Sequence, residues 1–131
     1  MPNNQTILRW FVNQQQRHLI EAKTVVLKAL AHPTRLYIIE ELAQGEKCVC
    51  EFVDAVKADF STISKHLLVL KNAGLVEDDK RGQQVFYRLR MRCLPSFINC
   101  IGVAVAADAR MKAMQINPDL FEAKKAAEAN E

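Results

Sequence analysis

The sequence predicts a mainly α-helical fold with a β-hairpin wing, a winged helix-turn-helix, and three observations lead there. Apolar residues recur at helical spacing in four successive segments. The period then shortens to that of strands on either side of a Lys80-Arg81-Gly82-Gln83 turn. A long helical pattern opening near Pro95 follows the hairpin.

The first segment, residues 6–30, places Leu8, Phe11, Val12, Leu19, Val26 and Leu30 on a helical stripe, with an interruption near residues 13–17. Trp10 and Phe11 are expected to pack on a dimer core. Ala31-His32-Pro33-Thr34 punctuates the pattern: Pro33 suits the first turn of a new helix, and His32 suits the junction before it. That second helix turns Leu36, Ile39 and Leu42 inward and stops around Gly45. A third is expected over residues 47–57, with Val49, Phe52, Val53 and Val56 as its apolar positions. Asp59 can cap a fourth by accepting from the amide of Ser61 or Thr62, and Gly74 suits the residue just past its end. In that fourth helix Ile63, Leu67 and Leu70 share the inward face. Leu75-Val76 and residues 85–89 read as the two strands. The last helix carries Phe97, Ile98, Ile101, Val105, Met111 and Met114, and Pro118 ends it. The expected division is one domain over residues 1–117 and a polar tail over 118–131.

The 131 residues fit one domain, and 50% hydrophobic with 25% charged residues suffices for a buried core. No apolar run approaches the roughly 20 residues of a membrane span, and Met-Pro-Asn-Asn-Gln lacks the layout of a secretory leader. A soluble, cytoplasmic protein is therefore expected. The net charge of +3 is small, but its distribution is uneven: residues 57–92 hold eight basic against four acidic residues. Excess positive charge gathered in one stretch suits a phosphate-binding surface.

A helix that reads DNA needs short hydrogen-bonding side chains at its N-terminal end, where they meet base edges. Ser61, Thr62, Ser64, Lys65 and His66 provide them, with Lys71 further along. The hairpin tip, Lys80 and Arg81, would reach the backbone or the neighbouring minor groove. Double-stranded DNA is the expected partner.

The runs Leu30-Ala-His-Pro-Thr-Arg-Leu36, Cys48-Val-Cys50, Ser61-Thr-Ile-Ser-Lys-His-Leu67 and Leu70-Lys-Asn-Ala-Gly-Leu-Val76 together resemble the ArsR/SmtB family of metal-sensing repressors, over about residues 22–105. The resemblance implies a winged-helix homodimer built by its first and last helices. It also implies autorepression of a resistance or homeostasis operon through an imperfect inverted repeat, relieved when an inducer binds. Two residues depart from the family pattern. Phe60 stands where a polar residue, commonly glutamine, is frequent, and Leu68 where a basic residue is frequent. Phenylalanine could still touch a thymine methyl.

Four cysteines, Cys48, Cys50, Cys93 and Cys100, are expected as thiols, ligands or core residues rather than structural disulfides. Thiolates select Cu(I), Zn(II), Cd(II), Pb(II) or trivalent arsenic and antimony. At positions i and i+2 of a regular helix, Cys48 and Cys50 would point about 200° apart, so sharing an ion requires local unwinding at the helix start. The resemblance places the thiol site of arsenic and cadmium/lead sensors on this helix, hence on Cys48 and Cys50. The family's third arsenic-binding cysteine falls on Val53, so a third sulfur would come from Cys93 or Cys100, of either subunit. No histidine follows His66, which removes the zinc site of the last helix, and no cysteine precedes Cys48, as cadmium/lead sensors have. Arsenite or antimonite, needing three sulfurs, therefore leads as inducer, with no resident cofactor required. A thiol redox or persulfide sensor of the same fold, pairing Cys48 or Cys50 with Cys93 or Cys100, is the alternative, beside a Cd/Pb sensor and a winged-helix protein without a sensing role. A thiol-disulfide enzyme is remote because no strand is expected before Gly45 to seat its cysteine pair. The chain is read as a non-enzyme.

Overall fold

The computed structural model describes residues 13–116, with 126, 127 and 129 beyond them. The chain forms two compact units, Met1–Arg92 and Cys93–Glu131. In the first unit, helix α1 spans Gln14–Leu30, α2 Pro33–Leu42, strand β1 Lys47–Cys48, α3 Val49–Val56, α4 Phe60–Asn72, β2 Val76–Arg81 and β3 Gln84–Leu89. The second unit holds α5, Leu94–Ile116.

Asn13 starts α1 with a reciprocal cap. Its side chain accepts from the Gln16 amide at 2.9 Å, and its own amide donates to the Gln16 side chain. The interruption expected near residues 13–17 is thus a helix start. Leu8, Trp10, Phe11 and Val12 lie outside the described residues, as do Pro118 and most of the expected tail. Pro33 takes the first position of α2, where its missing N–H costs no hydrogen bond. His32 caps this helix: its Nδ1 accepts from the Thr34 amide at 3.1 Å. The buried face of α2 is Ile38, Ile39 and Leu42; Leu36, expected inward, is half-buried.

The third helix corrects the expectation most. Lys47 and Cys48 are not helical but form β1, which pairs antiparallel with β3 at Lys47↔Tyr87 and Cys48↔Phe86. The helix begins only at Val49. Two residues give no alternation that a periodicity can register, so tertiary pairing decides here. Residues 57–59 then join α3 to α4, with Lys57 in the left-handed conformation at φ 54°. A turn this short holds the two helices of a helix-turn-helix at a fixed angle.

The wing is longer than expected. β2 and β3 pair from Val76↔Leu89 to Arg81↔Gln84, so Lys80 and Arg81 are strand residues and the turn is Gly82-Gln83 alone. Gly82 takes φ 63° at the first central position, the demand of a type II′ hairpin turn. The sheet order is β1-β3-β2.

The core of the first unit lies where α4 meets α1, α2, α3 and β2. Phe52, Ile38, Ile39, Ile63, Leu67, Leu70, Leu75 and Val76 are fully buried, each stabilising the fold by about 1.5–3 kcal/mol. Gly74, at φ 78°, closes α4: its amide reaches the Lys71 carbonyl and that of Leu75 reaches the Leu70 carbonyl. This pair of bonds stops the helix and buries Leu75 in the same step. Leu67→Ala is expected to lower unfolding free energy by about 2–5 kcal/mol, read as a lower denaturation midpoint. Leu68→Ala, one residue on and exposed, should move it by less than about 0.5 kcal/mol.

Candidate nucleic-acid interface and thiol site

Burial of Ile63, Leu67 and Leu70 fixes the rotation of α4 and turns the other side outward. Asp59 caps the helix, its Oδ1 accepting from the Thr62 amide at 2.9 Å and its Oδ2 from the Ser61 hydroxyl at 3.4 Å. Hydrogen bonds from Thr62, aided by Ser61 and the Lys65 charge, hold the Asp59 carboxyl below its ordinary pKa. Ser61, Thr62 and Lys65 are exposed and Ser64 is half-buried, all on the first two turns. Lys65 has no ion-pair partner among the described residues, so its charge is available to a phosphate.

His66 behaves differently. It is half-buried, with its ring 4.4 Å from that of His32. Burial, then the neighbouring His32 and Arg35, push its pKa down, which keeps the imidazole neutral near pH 7. His66 therefore packs α4 against the cap of α2 instead of joining Ser61 and Lys65. Lys71 is bound to Asp78 of β2 at 3.0 Å, and that hydrogen bond raises its pKa.

At the wing, Lys80 is exposed with no ion-pair partner among the described residues. Arg81 is engaged three ways. Its Nη2 donates to Glu46 Oε2 at 3.0 Å, its Nε donates to Asp79 at 3.0 Å, and its guanidinium lies over the Phe86 ring, 4.7 Å from the centroid. Arg88 is likewise tied to Glu77 at 2.7 Å. Asp79 and Arg81 lie two apart on β2 and so share a face, a pairing hidden by the expected Lys80–Gln83 turn but signalled by the period of a longer strand. Glu46, 35 residues from Arg81, carried no such signal.

The cysteines divide by position. Cys48, buried, ends β1 and caps α3: its Sγ accepts from the Cys50 amide at 3.4 Å, while its amide donates to Glu51 at 2.7 Å. Sulfur is a weak acceptor, so serine's usual place at a cap is held by a poorer one. Cys50 is exposed on the first turn, and the adjacent Cys48 thiol raises its pKa. Both thiols thus sit at one helix end without sharing the helix, because Cys48 is extended at φ −75°, ψ 149°. In the second unit, Cys93 precedes α5 and Cys100 lies on it, both exposed. Among the described residues no group of three or more His, Cys, Asp or Glu side chains is gathered as an ion cage. No described helix is long and apolar enough to cross a membrane.

Residues 32–78 match the family described as bacterial regulatory protein, arsR family. Among solved structures, the homodimeric winged helix-turn-helix DNA-binding domain of a possible ArsR-family regulator from Mycobacterium bovis is 31% identical with a TM-score of 0.64, covering 79% of this chain and 94% of that one. The chain belongs to the ArsR family. Its fold is that family's winged helix-turn-helix. The HTH-type transcriptional repressor SmtB of Mycobacterium tuberculosis is 40% identical over 73 residues, 56% of this chain and 54% of the relative. The arsenic resistance regulator ArsR1 of Pseudomonas putida is 41% identical over 75 residues, 55% of this chain and 59% of the relative. The matches thus span a little over half the length of these two ArsR-family relatives.

For this ArsR-family interface, the two cations make opposite predictions. Lys65→Ala should weaken duplex binding and reduce the slope of log affinity against log salt by about one per bound chain. Arg81→Ala, already neutralised by Glu46 and Asp79, should leave that slope nearly unchanged. Anisotropy titrations at several salt concentrations separate the two.

Proposed function

We propose that the chain is a cytoplasmic transcriptional repressor that binds operator DNA as a homodimer and lets go when a thiophilic metal(loid), arsenite or antimonite first, is captured by Cys48 and Cys50. The observation that carries this reading is the double use of Cys48, which caps α3 through its sulfur and stands beside the exposed Cys50 thiol. Two adjacent sulfurs suit a soft ion, and they fill two of the three positions that trivalent arsenic takes. Capture displaces the thiol protons and draws the Cys48 sulfur off the Cys50 amide, leaving that amide without its acceptor. The first turn of α3 loosens, and α3 packs on α4 and runs into it through residues 57–59. The base-reading end of α4 then loses its fixed angle.

Homodimer formation is supported by apolar residues left exposed on each unit. In α1 these are Leu19, Val25 and Leu27, and in α5 they include Phe97, Ile101 and Met111. Large apolar side chains exposed in this number suit burial against a partner. A two-fold dimer would set two α4 helices about 34–36 Å apart, which suits an imperfect inverted repeat.

A second reading, a thiol redox or persulfide sensor, is favoured because, among the described residues, no group of three or more His, Cys, Asp or Glu side chains gathers around the two thiols. One titration discriminates. Under reducing conditions, As(III) or Sb(III) should raise the Kd for the promoter duplex at least about tenfold, ahead of Cd(II), Pb(II) and Zn(II). Cys48→Ser should bind DNA normally, since serine caps well, and ignore As(III). Cys93→Ser and Cys100→Ser identify which of those residues contributes a third sulfur. Release by peroxide or by a polysulfide, each of which supplies its own oxidising equivalents, with no response to As(III), overturns the metalloid reading in favour of the redox one.

A further inference from the structure

Three large apolar side chains of α4 are exposed, Val69 at 38% and two that are more open still. Phe60, at the first position of the helix, is 60% exposed, and Leu68 is 52% exposed. They lie at i and i+8 with Ser64 at i+4 between them, so the three form one ridge along the helix, its ends about 12 Å apart. The core ridge of Ile63, Leu67 and Leu70 lies elsewhere on the helix, fully buried. The ridge is flanked by Ser61 and Lys65, the groups best placed for DNA. Exposed phenylalanine and leucine beside hydroxyls and a free cation need an apolar feature in the same partner. Within the major groove the apolar feature is the thymine 5-methyl group, which cytosine, adenine and guanine lack.

We infer that Phe60 and Leu68 are specificity residues that read thymine methyl groups in the operator, with the Ser64 hydroxyl between them. The inference rests on the DNA-binding reading above and deepens it. Neither side chain can donate or accept a hydrogen bond. Discrimination at these positions therefore comes from burying the methyl against them, and thymine is favoured for its methyl rather than for its O4. Phosphate contacts by Lys65 and Lys80 fix the register but carry no sequence information.

The test starts from random DNA, so the operator sequence need not be in hand. The full chain selects duplexes from a random pool, and each thymine of the enriched site is then replaced singly by deoxyuridine, which removes only the methyl. At the read positions this should weaken binding about three- to fivefold, the worth of one buried methyl group. Phe60→Ala should abolish the penalty at one position and Leu68→Ala at another, while both variants keep the wild-type salt slope. Both side chains are exposed, so folding should survive, and circular dichroism with thermal melting verifies it. A site indifferent to deoxyuridine at every thymine overturns this inference and leaves the DNA-binding reading standing. So does a penalty that persists unchanged in both variants. A chain that enriches no duplex overturns the DNA-binding reading, and this inference with it.

Discussion

The buried row Ile63, Leu67 and Leu70 on α4 is the constraint on which the rest of the structure depends. Because these three side chains are closed off by α1, α2, α3 and β2, the helix cannot rotate without exposing them. Each would then forfeit about 1.5–3 kcal/mol of burial. Everything that α4 presents outward is set by that one fact. Its two ends are finished by separate devices, the Asp59 carboxylate at the start and the Gly74 turn at the finish. The helix is thus fixed in rotation by its core and in length by its caps, as a helix must be if its first turns are to meet a groove in a defined register.

Cys48 is where the proposed control acts on that frame. One residue ends a strand, caps a helix and offers a thiol, so three structural duties converge on a sulfur that is only a weak acceptor. Strand β1 carries the connection a second way. Cys48 is registered opposite Phe86, whose ring holds the Arg81 guanidinium, which Glu46 grips from the residue before β1. Change at the cysteine pair therefore has two physical routes outward, through α3 to α4 and through β1 to the wing. Both consist of contacts within the first unit.

Much of this was legible in the sequence because it is local. Asp59, Gly74, Pro33 and the Ile63-Leu67-Leu70 spacing act within a few residues, and each stands where propensity and period put it. The parts that were not legible join distant residues. β1 is two residues long and exists only because β3 is there to pair with it. The Glu46–Arg81 clamp spans 35 residues and pairs one of the cations expected to face DNA. Lys71 is similarly held by Asp78, and His66 by His32. The residues expected at the DNA face were chosen by type and place in the chain. Side-chain pairing divides them into those with available charge or hydroxyls, Thr62, Ser64, Lys65 and Lys80, and those already engaged, His66, Lys71, Arg81 and, through its hydroxyl, Ser61.

The proposed release requires an event at the Cys48 sulfur to be felt at the start of α4, and residue-resolved amide hydrogen exchange reads both places in one sample. With As(III) added, exchange should accelerate at Cys50 and Glu51 and, in the same sample, at Ser61, Thr62 and Ile63. The amides from Leu67 to Leu70, held by the core, should stay protected. Faster exchange confined to α3, with the first turn of α4 as protected as before, would rule out that coupling.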